Sequence, residues 1–208
     1  MKRAIGILAV LVFAVPALAQ LAGLPIAGGA DGMAAGGMRA SGGLVLGDDF
    51  NLFGVRGTFA PVENLALFGD AGLIDPDMGD MGWALQGGGL FMLPLGLPVD
   101  VGVRGALGFG GFDADIPGVD ATATLTTING GVLASKKIEM ITPYAFAGLN
   151  YAKTKVEIDG ADGDASDDET DLAIAGGATV SLNEQISFYG EIAYIDDPFF
   201  GAGMRFDF

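Results

Sequence analysis

The feature that most constrains this chain is an apolar–polar alternation of period two, in a sequence that lacks long apolar runs. Half of its 208 residues are hydrophobic. After residue 20, however, no apolar run approaches the roughly 20 residues of a membrane-spanning helix. Glycine occupies 36 positions, more than twice its usual share of about 7%, and glycine is a poor helix former. These properties predict strands, because a strand turns alternate residues to opposite faces.

The faces of the alternating segments indicate which kind of sheet the strands form. The pattern is clearest over 99–112, 172–182, 186–194 and 200–208, where apolar side chains share one face. The other face carries mostly Gly, Ala, Ser and Thr with isolated charges, which suits the narrow interior of a small barrel. In lipid a sheet must close, because every backbone N–H and C=O needs a partner. The prediction is an all-β, transmembrane, antiparallel up-and-down barrel.

Breaks in the alternation predict the number of strands. Short turn-like breaks alternate in order with more acidic ones, as expected if the short turns face the periplasm and the others face outside. The short breaks fall at 61–64, 94–98, 135–140 and 183–185, and the acidic ones at 47–49, 75–80, 113–120, 157–171 and 196–198. Nine connections predict about ten strands, with Asn129-Gly130 inside a strand although it is a hairpin signal in isolation. Eight strands would result if the first, near Gly37–Leu46, is misplaced.

The first residues predict export. Lys2 and Arg3 precede an apolar stretch, and Ala17-Leu18-Ala19 has the Ala-x-Ala form of a cleavage site, so residues 1–19 are expected to be a signal peptide and 20–208 the barrel domain. The alternative is a short N-terminal anchor helix. The formal charge of −16 argues against nucleic-acid binding, which draws on clustered Lys and Arg.

Absent residue types limit the chemistry. The chain has no His and no Cys, so neither a disulfide nor a Ser-His-Asp or Cys-His arrangement can form. We therefore expect neither an enzyme nor a cofactor, with one exception. Asp162 and Asp164 weakly resemble the start of a calcium loop and Asp168 lies nearby, but the Gly at the sixth position and the Glu at the twelfth are missing. A solvated surface loop is the simpler interpretation of this acidic segment.

Seven polar residues are expected to face the barrel interior, because a charge on the lipid face costs about 2–4 kcal/mol near the midplane. They are Arg39, Arg56, Asp70, Gln86, Arg104, Glu191 and Arg205. Two interpretations stay open: the selectivity lining of a narrow pore, or a salt-bridged plug that closes the barrel. Glu191 and Arg205, on adjacent strands, form the first pair expected.

Aromatic residues near the strand ends are expected in the girdles that flank the apolar band of a membrane barrel. They are Trp83, Tyr144, Tyr151, Tyr189, Tyr194 and the pair Phe199-Phe200.

The last residues, Gly203-Met204-Arg205-Phe206-Asp207-Phe208, carry a resemblance to a known family. Together with segments such as 98–105 and 142–148, they are similar to the small outer-membrane β-barrel domain proteins of diderm bacteria, the OmpA-, OmpX- and opacity-like barrels. In that family such an ending is the β-signal read by the barrel-assembly machinery. The resemblance therefore implies that Gly203, Phe206 and Phe208 form an assembly signal, although the usual polar residue two places before the Gly is Gly201 here.

These observations predict a non-enzymatic outer-membrane barrel with a structural or surface-interaction role in the cell envelope. Its expected partners are outer-membrane lipid and lipopolysaccharide, the barrel-assembly machinery and an extracellular surface ligand at the acidic loops. A narrow porin-like channel for small solutes or ions is one alternative. A secreted soluble β-sandwich adhesin is another.

Overall fold

The computed structural model describes residues 29–48, 50–76, 79–116, 119–158 and 165–208, which form ten antiparallel strands. The strands are β1 (Met38–Leu46), β2 (Phe50–Val62), β3 (Leu65–Pro76), β4 (Gly82–Leu93), β5 (Asp100–Ile116), β6 (Val119–Ser135), β7 (Ile141–Ile158), β8 (Ala165–Ser181), β9 (Ile186–Ile195) and β10 (Asp197–Asp207). Each strand pairs with the next, and β10 pairs with β1 to close the sheet. The predicted ten-stranded barrel is confirmed, and the β-sandwich alternative is wrong, since a sandwich needs two packed sheets.

The outer face of the barrel is apolar. Side chains such as Phe53, Leu107 and Ile192 point away from the interior and are about half exposed, which leaves them to be covered by lipid. Trp83 and Tyr194 also point outward, near the ends of their strands. Within the described ranges, no helix is both long and apolar enough to cross a membrane.

The two ends of the barrel differ. One end of the barrel holds the start of β1, the last residues of β10 and the turns β2–β3, β4–β5, β6–β7 and β8–β9. We name it the termini end. The opposite end, which we name the loop end, holds the other five connections. In the tight β2–β3 turn Asn64 takes a φ of 66°, a left-handed conformation that Asn tolerates better than most residues.

Strands β5 to β8 are longer than a membrane crossing requires. They contain 17 or 18 residues, whereas a tilted membrane strand needs about 9–11. At the loop end β4 pairs with β5 no further than Gly111, and β9 pairs with β8 only from Ile174 onward. The hairpins β5–β6 and β7–β8 therefore continue past their neighbours β4 and β9 at this end, and we name residues 112–116, 119–126, 153–158 and 165–171 of these four strands the projecting sheet.

The sequence prediction of acidic loops at 113–120 and 157–171 is wrong for the residues of these ranges that the structure describes. Most of these residues extend β5 to β8 instead of forming loops. A strand that has left the lipid does not need apolar residues on its outer face. The period-two signal consequently fades where the chain is still extended, and the segments look like loops in the sequence.

The barrel interior has an apolar half and a polar half. At the loop end it is filled mainly by buried apolar side chains that belong to one hydrophobic cluster, including Phe50, Leu52, Ile74, Ile195 and Phe199. The rings of Phe50 and Phe199 lie 5.6 Å apart between centroids. Toward the termini end the interior residues are mostly polar or charged, and these form the candidate site.

Candidate functional site: the charged interior and the projecting sheet

The centre of the charged interior is a row of neighbouring residues on β1 to β4. Ser41 lies opposite Arg56, Arg56 opposite Asp70, and Asp70 opposite Gln86. Arg56 donates from Nε and Nη2 to the two carboxylate oxygens of Asp70, each at 2.7 Å. Both side chains are buried, so this two-bond pair lies away from bulk water, where charge-assisted hydrogen bonds are strong.

Arg104 lies beside this row but has neutral partners. Its Nη1 donates to Asn129 Oδ1 at 2.8 Å and its Nη2 to Gln86 Oε1 at 3.3 Å. The Cζ atoms of Arg56 and Arg104 lie 4.7 and 4.9 Å from the centroid of the Phe68 ring. One aromatic ring therefore stabilises two guanidinium groups through cation–π contact.

A second charged group lies at the termini end. Arg39 Nε donates to Asp207 Oδ1 at 2.5 Å, and Asp31 Oδ2 lies 3.4 Å from both Arg39 Nη2 and Arg205 Nη2. Asp31 belongs to the segment 29–37 that precedes β1, and its neighbour Ala30 is completely buried. This segment therefore enters the termini end of the barrel and carries a carboxylate to two interior arginines.

The pairing expected first, between Glu191 and Arg205, does not match the register. Glu191 lies opposite Gly201 and Arg205 opposite Ser187, four positions apart along the strands. Glu191 instead accepts a hydrogen bond from the Tyr144 hydroxyl at 2.8 Å.

The structure brings all seven expected polar residues to the interior side of their strands. Arg56, Asp70, Gln86, Arg104, Glu191 and Arg205 are buried, whereas Arg39 is half-buried. Four further residues of this interior network, Asp31, Asn129, Tyr144 and Asp207, were not among those expected from the sequence. Alternation with Arg205 was a signal for Asp207, whereas nothing in the sequence points to Asp31, which lies outside any strand.

Two of the expected girdle tyrosines are interior residues. Tyr144 and Tyr189 are buried, and Tyr189 lies across the seam where β10 meets β1. A methyl group added at Gly43 or Gly203 would overlap the Tyr189 hydroxyl. Gly43 and Gly203 are opposite each other in the seam, so the absence of side chains on both strands makes the space for the ring. Phe199 also points inward, while Phe200 is exposed on the outer face.

The residues of the expected assembly signal lie at the end of the closing strand. Phe206 and Phe208 are exposed, and the Phe208 N–H donates to the Met38 carbonyl oxygen at 2.9 Å. Gly203 faces the interior under Tyr189. The three residues therefore occupy both faces of β10 and its immediate end.

The candidate calcium ligands do not form a site among the residues that can be placed. Asp162 and Asp164 lie outside the described residues, and Asp168 is exposed opposite Lys153. Within the described part of the chain, no group of three or more acidic side chains could hold a metal ion. The calcium hypothesis therefore stays a prediction.

Two other carboxylates of the projecting sheet are electrostatically perturbed. Burial, together with the negative charge of nearby Asp171, raises the pKa of Glu169 above its usual range. Burial and nearby Asp196 raise the pKa of Asp171. Both residues lie beyond the apolar band on β8, and the crowding of like charges favours their protonated forms.

The outer surface of the projecting sheet is polar and of mixed charge. On β6 it carries Thr122 and Thr124, and on β7 Lys153 and Lys155. The Thr122 hydroxyl donates to Asp113 at 2.9 Å, and Lys153 lies opposite Asp168. The outward side chains described for this surface are polar, so it is suited to water and to polar partners.

Comparisons with known proteins find one family by sequence and several barrels by structure. The sequence profile described as the outer membrane protein beta-barrel domain matches residues 5–204. No curated protein matches the chain.

Three of the similar solved structures are bacterial barrels. The N-terminal β-barrel domain of OprF from Pseudomonas aeruginosa has 13% identity and a TM-score of 0.41, covering 85% of this chain and 100% of that one. Ail, the attachment invasion locus protein of Yersinia pestis, solved with the heparin analogue sucrose octasulfate, has 16% identity and a TM-score of 0.44, with 84% and 99% covered. The translocator domain of the autotransporter NalP from Neisseria meningitidis has 10% identity and a TM-score of 0.48, with 83% and 88% covered.

Proposed function

Because the chain belongs to the outer membrane protein β-barrel domain family, we propose that it is a non-enzymatic barrel of the outer membrane that is closed to solutes and presents its projecting sheet at the cell surface. The observation that carries this proposal is the apolar loop-end half of the interior. The function needs no cofactor.

Two features of the interior support a closed barrel. The cluster around Phe50 and Phe199 is made of buried apolar side chains, which cannot replace the hydration shell of an ion, and hydrophobic constrictions exclude ions by dewetting. In the other half, the pair Arg56–Asp70 and the segment that carries Asp31 occupy the lumen. These contacts favour the plug interpretation over the pore lining.

The difference between the two barrel ends supports a surface role. In outer-membrane barrels the short turns face the periplasm and the longer connections face outside. The projecting sheet at the loop end would then stand outside the cell, where its threonines and mixed charges meet other polar surfaces. Outer-membrane lipid would cover the apolar band, with lipopolysaccharide nearest to the loop end.

Planar-bilayer recording tests the closed state. We expect the refolded protein to show no steady single-channel current, because the apolar half interrupts any water-filled path. A variant with polar residues at Phe50 and Phe199 should conduct more often than the native protein. Steady current through the native barrel, with ion selectivity changed by Arg104→Ala, would instead support the narrow-channel alternative.

Cysteine labelling on intact cells tests the orientation, and the native chain contributes no background because it has no Cys. We expect Thr124→Cys, on the projecting sheet, to react with a membrane-impermeant maleimide on whole cells. The matched control is Glu63→Cys in the β2–β3 turn, which should react only after the outer membrane is permeabilised. The reverse pattern would contradict the proposed orientation.

The route to the membrane is a second part of the proposal. Residues 1–19 lie outside the described residues, and we propose that they are a signal peptide cleaved after Ala19. N-terminal sequencing of the membrane protein should begin at Gln20. We further propose that Gly203, Phe206 and Phe208 are read by the barrel-assembly machinery, a role consistent with their place on the closing strand.

A further inference from the structure

Arg104 is a buried cation whose hydrogen-bond partners are all neutral. It is 5% exposed, and its partners are the side-chain oxygens of Asn129 and Gln86. The neighbouring carboxylate, Asp70, uses both of its oxygens to bind Arg56. Asp70 and Glu191 contribute favourable charge interactions with Arg104 but are not hydrogen-bonded to it. Burial of an ion is costly unless a counter-charge makes close, well-oriented contact, so this position favours an additional anion.

A cavity lies next to Arg104 inside the polar half of the barrel. It has a volume of about 50 Å³, and its lining includes Arg39, Arg56, Arg104, Ser41, Thr58 and Asp31. We name it the arginine cavity. A single water needs roughly 10–15 Å³ of such space, so the arginine cavity has room for a few waters or for one monatomic anion.

We propose that the arginine cavity binds a small monovalent inorganic anion of the size of chloride. The lining holds three guanidinium groups and one carboxylate. Arg56 and Arg39 are paired with Asp70 and Asp207, whereas the hydrogen-bond partners of Arg104 are neutral, so an anion suits this cavity better than a cation. Hydroxyl groups from Ser41 and Thr58 can donate further hydrogen bonds to an anion. A large organic anion exceeds the volume, and one added negative charge suffices to balance Arg104.

The anion is a bound component of the lumen and is not conducted, so the inference does not depend on the proposed function. The apolar half of the interior separates the arginine cavity from the loop end. The lining residues Gly29 and Asp31 lie where the segment 29–37 enters the barrel. Exchange of the anion would therefore occur at the termini end.

Unfolding by urea in lipid vesicles, at constant ionic strength, tests the site. We expect sodium chloride to raise the urea midpoint relative to sodium gluconate, whose anion is too large for the cavity. A Kd near 10 mM would raise the folding equilibrium constant about tenfold at 0.1 M chloride. Arg104→Gln should abolish the difference between the two salts. The matched control, Lys153→Gln on the projecting sheet, should retain it. Equal midpoints of the native protein in the two salts would overturn the proposal.

A second measurement does not depend on a variant that folds. Crystals of the native protein grown in sodium bromide should show an anomalous peak in the arginine cavity, within about 3–4 Å of guanidinium nitrogens. Electron density that contains only waters there, with no anomalous signal, would overturn the assignment of an anion.

Discussion

At the scale of single residues, the Arg56–Asp70 pair shows how a charge is accommodated inside a membrane barrel. The two residues are directly opposite each other on adjacent strands and make two hydrogen bonds of 2.7 Å. Both side chains are buried, and that of Asp70 completely so. The pair therefore contributes mainly by avoiding a large penalty, because removal of either partner would leave the other charge buried without its two-bond counter-ion.

Removing one partner of this pair should destabilise the barrel more than removing both. We expect Asp70→Asn to lower the free energy of unfolding by about 3–5 kcal/mol, since it leaves Arg56 buried without its carboxylate. The double variant Arg56→Met with Asp70→Leu should recover a large part of that loss. Urea unfolding in vesicles measures both. A double variant as unstable as the single one would show that the pair is not the source of the effect.

The seam between β10 and β1 gives a second prediction at the residue scale. Gly203→Ala would place a methyl group against the Tyr189 hydroxyl and the Gly42 carbonyl oxygen. Overpacking of this kind costs about 1–3 kcal/mol. The control is Gly57→Ala on the outer face, where nothing lies within 4 Å of the added atom. Gly203→Ala should unfold at a clearly lower urea concentration than Gly57→Ala. Similar urea midpoints would contradict the close packing of Tyr189 against Gly203.

At the scale of elements, the β7–β8 hairpin combines a membrane-spanning part with a polar extension. Within the extension, Glu169 and Asp171 have raised pKa values because of burial and neighbouring carboxylates. A carboxyl whose pKa is higher in the folded than in the unfolded state stabilises the fold when it is protonated. The extension should therefore be most stable at acidic pH and lose stability as the pH rises through these values.

Carboxyl ¹³C NMR titration in micelles tests this electrostatic account. We expect Asp196→Asn to lower the pKa of Asp171 toward its usual range, because Asp196 is the nearby charge that raises it. The control is Asp168→Asn, on the outer face opposite Lys153, which should leave the Asp171 pKa almost unchanged. If both variants lowered the Asp171 pKa equally, the cause would be the total charge of the sheet, and the specific role of Asp196 would be contradicted.

At the scale of the whole molecule, assembly depends on the closing strand reaching β1. Phe208 is 78% exposed, and its N–H binds the Met38 carbonyl. Phe208→Ala keeps this backbone bond and removes the exposed ring of the proposed assembly signal, so it should lower the amount of heat-modifiable barrel in the outer membrane while leaving export across the inner membrane unchanged. The control is Phe200→Ala, which removes another exposed ring, on the outer face of β10 near the loop end. Normal barrel levels in the Phe208 variant would contradict the proposed assembly signal.

The elements show how far sequence reasoning reaches. Alternation correctly predicted ten strands and kept Asn129-Gly130 inside β6, because the lipid imposes a two-residue period on each strand. It failed where that constraint ends. Residues 165–171 of β8 were expected to be a loop, since a strand outside the membrane no longer needs an apolar face.

The amino-acid sequence by itself determined the membrane-spanning parts of the strands and the inward placement of their charged residues, although not the interior positions of Tyr144, Tyr189 and Phe199. Those properties follow from a local period that each strand carries independently. Only the tertiary structure decided which interior side chains contact one another. Arg39 meets Asp207 across 168 positions of sequence, and Glu191 meets Tyr144 instead of Arg205. Such contacts depend on the register between strands and on closure of β10 against β1, and both are properties of the whole sheet.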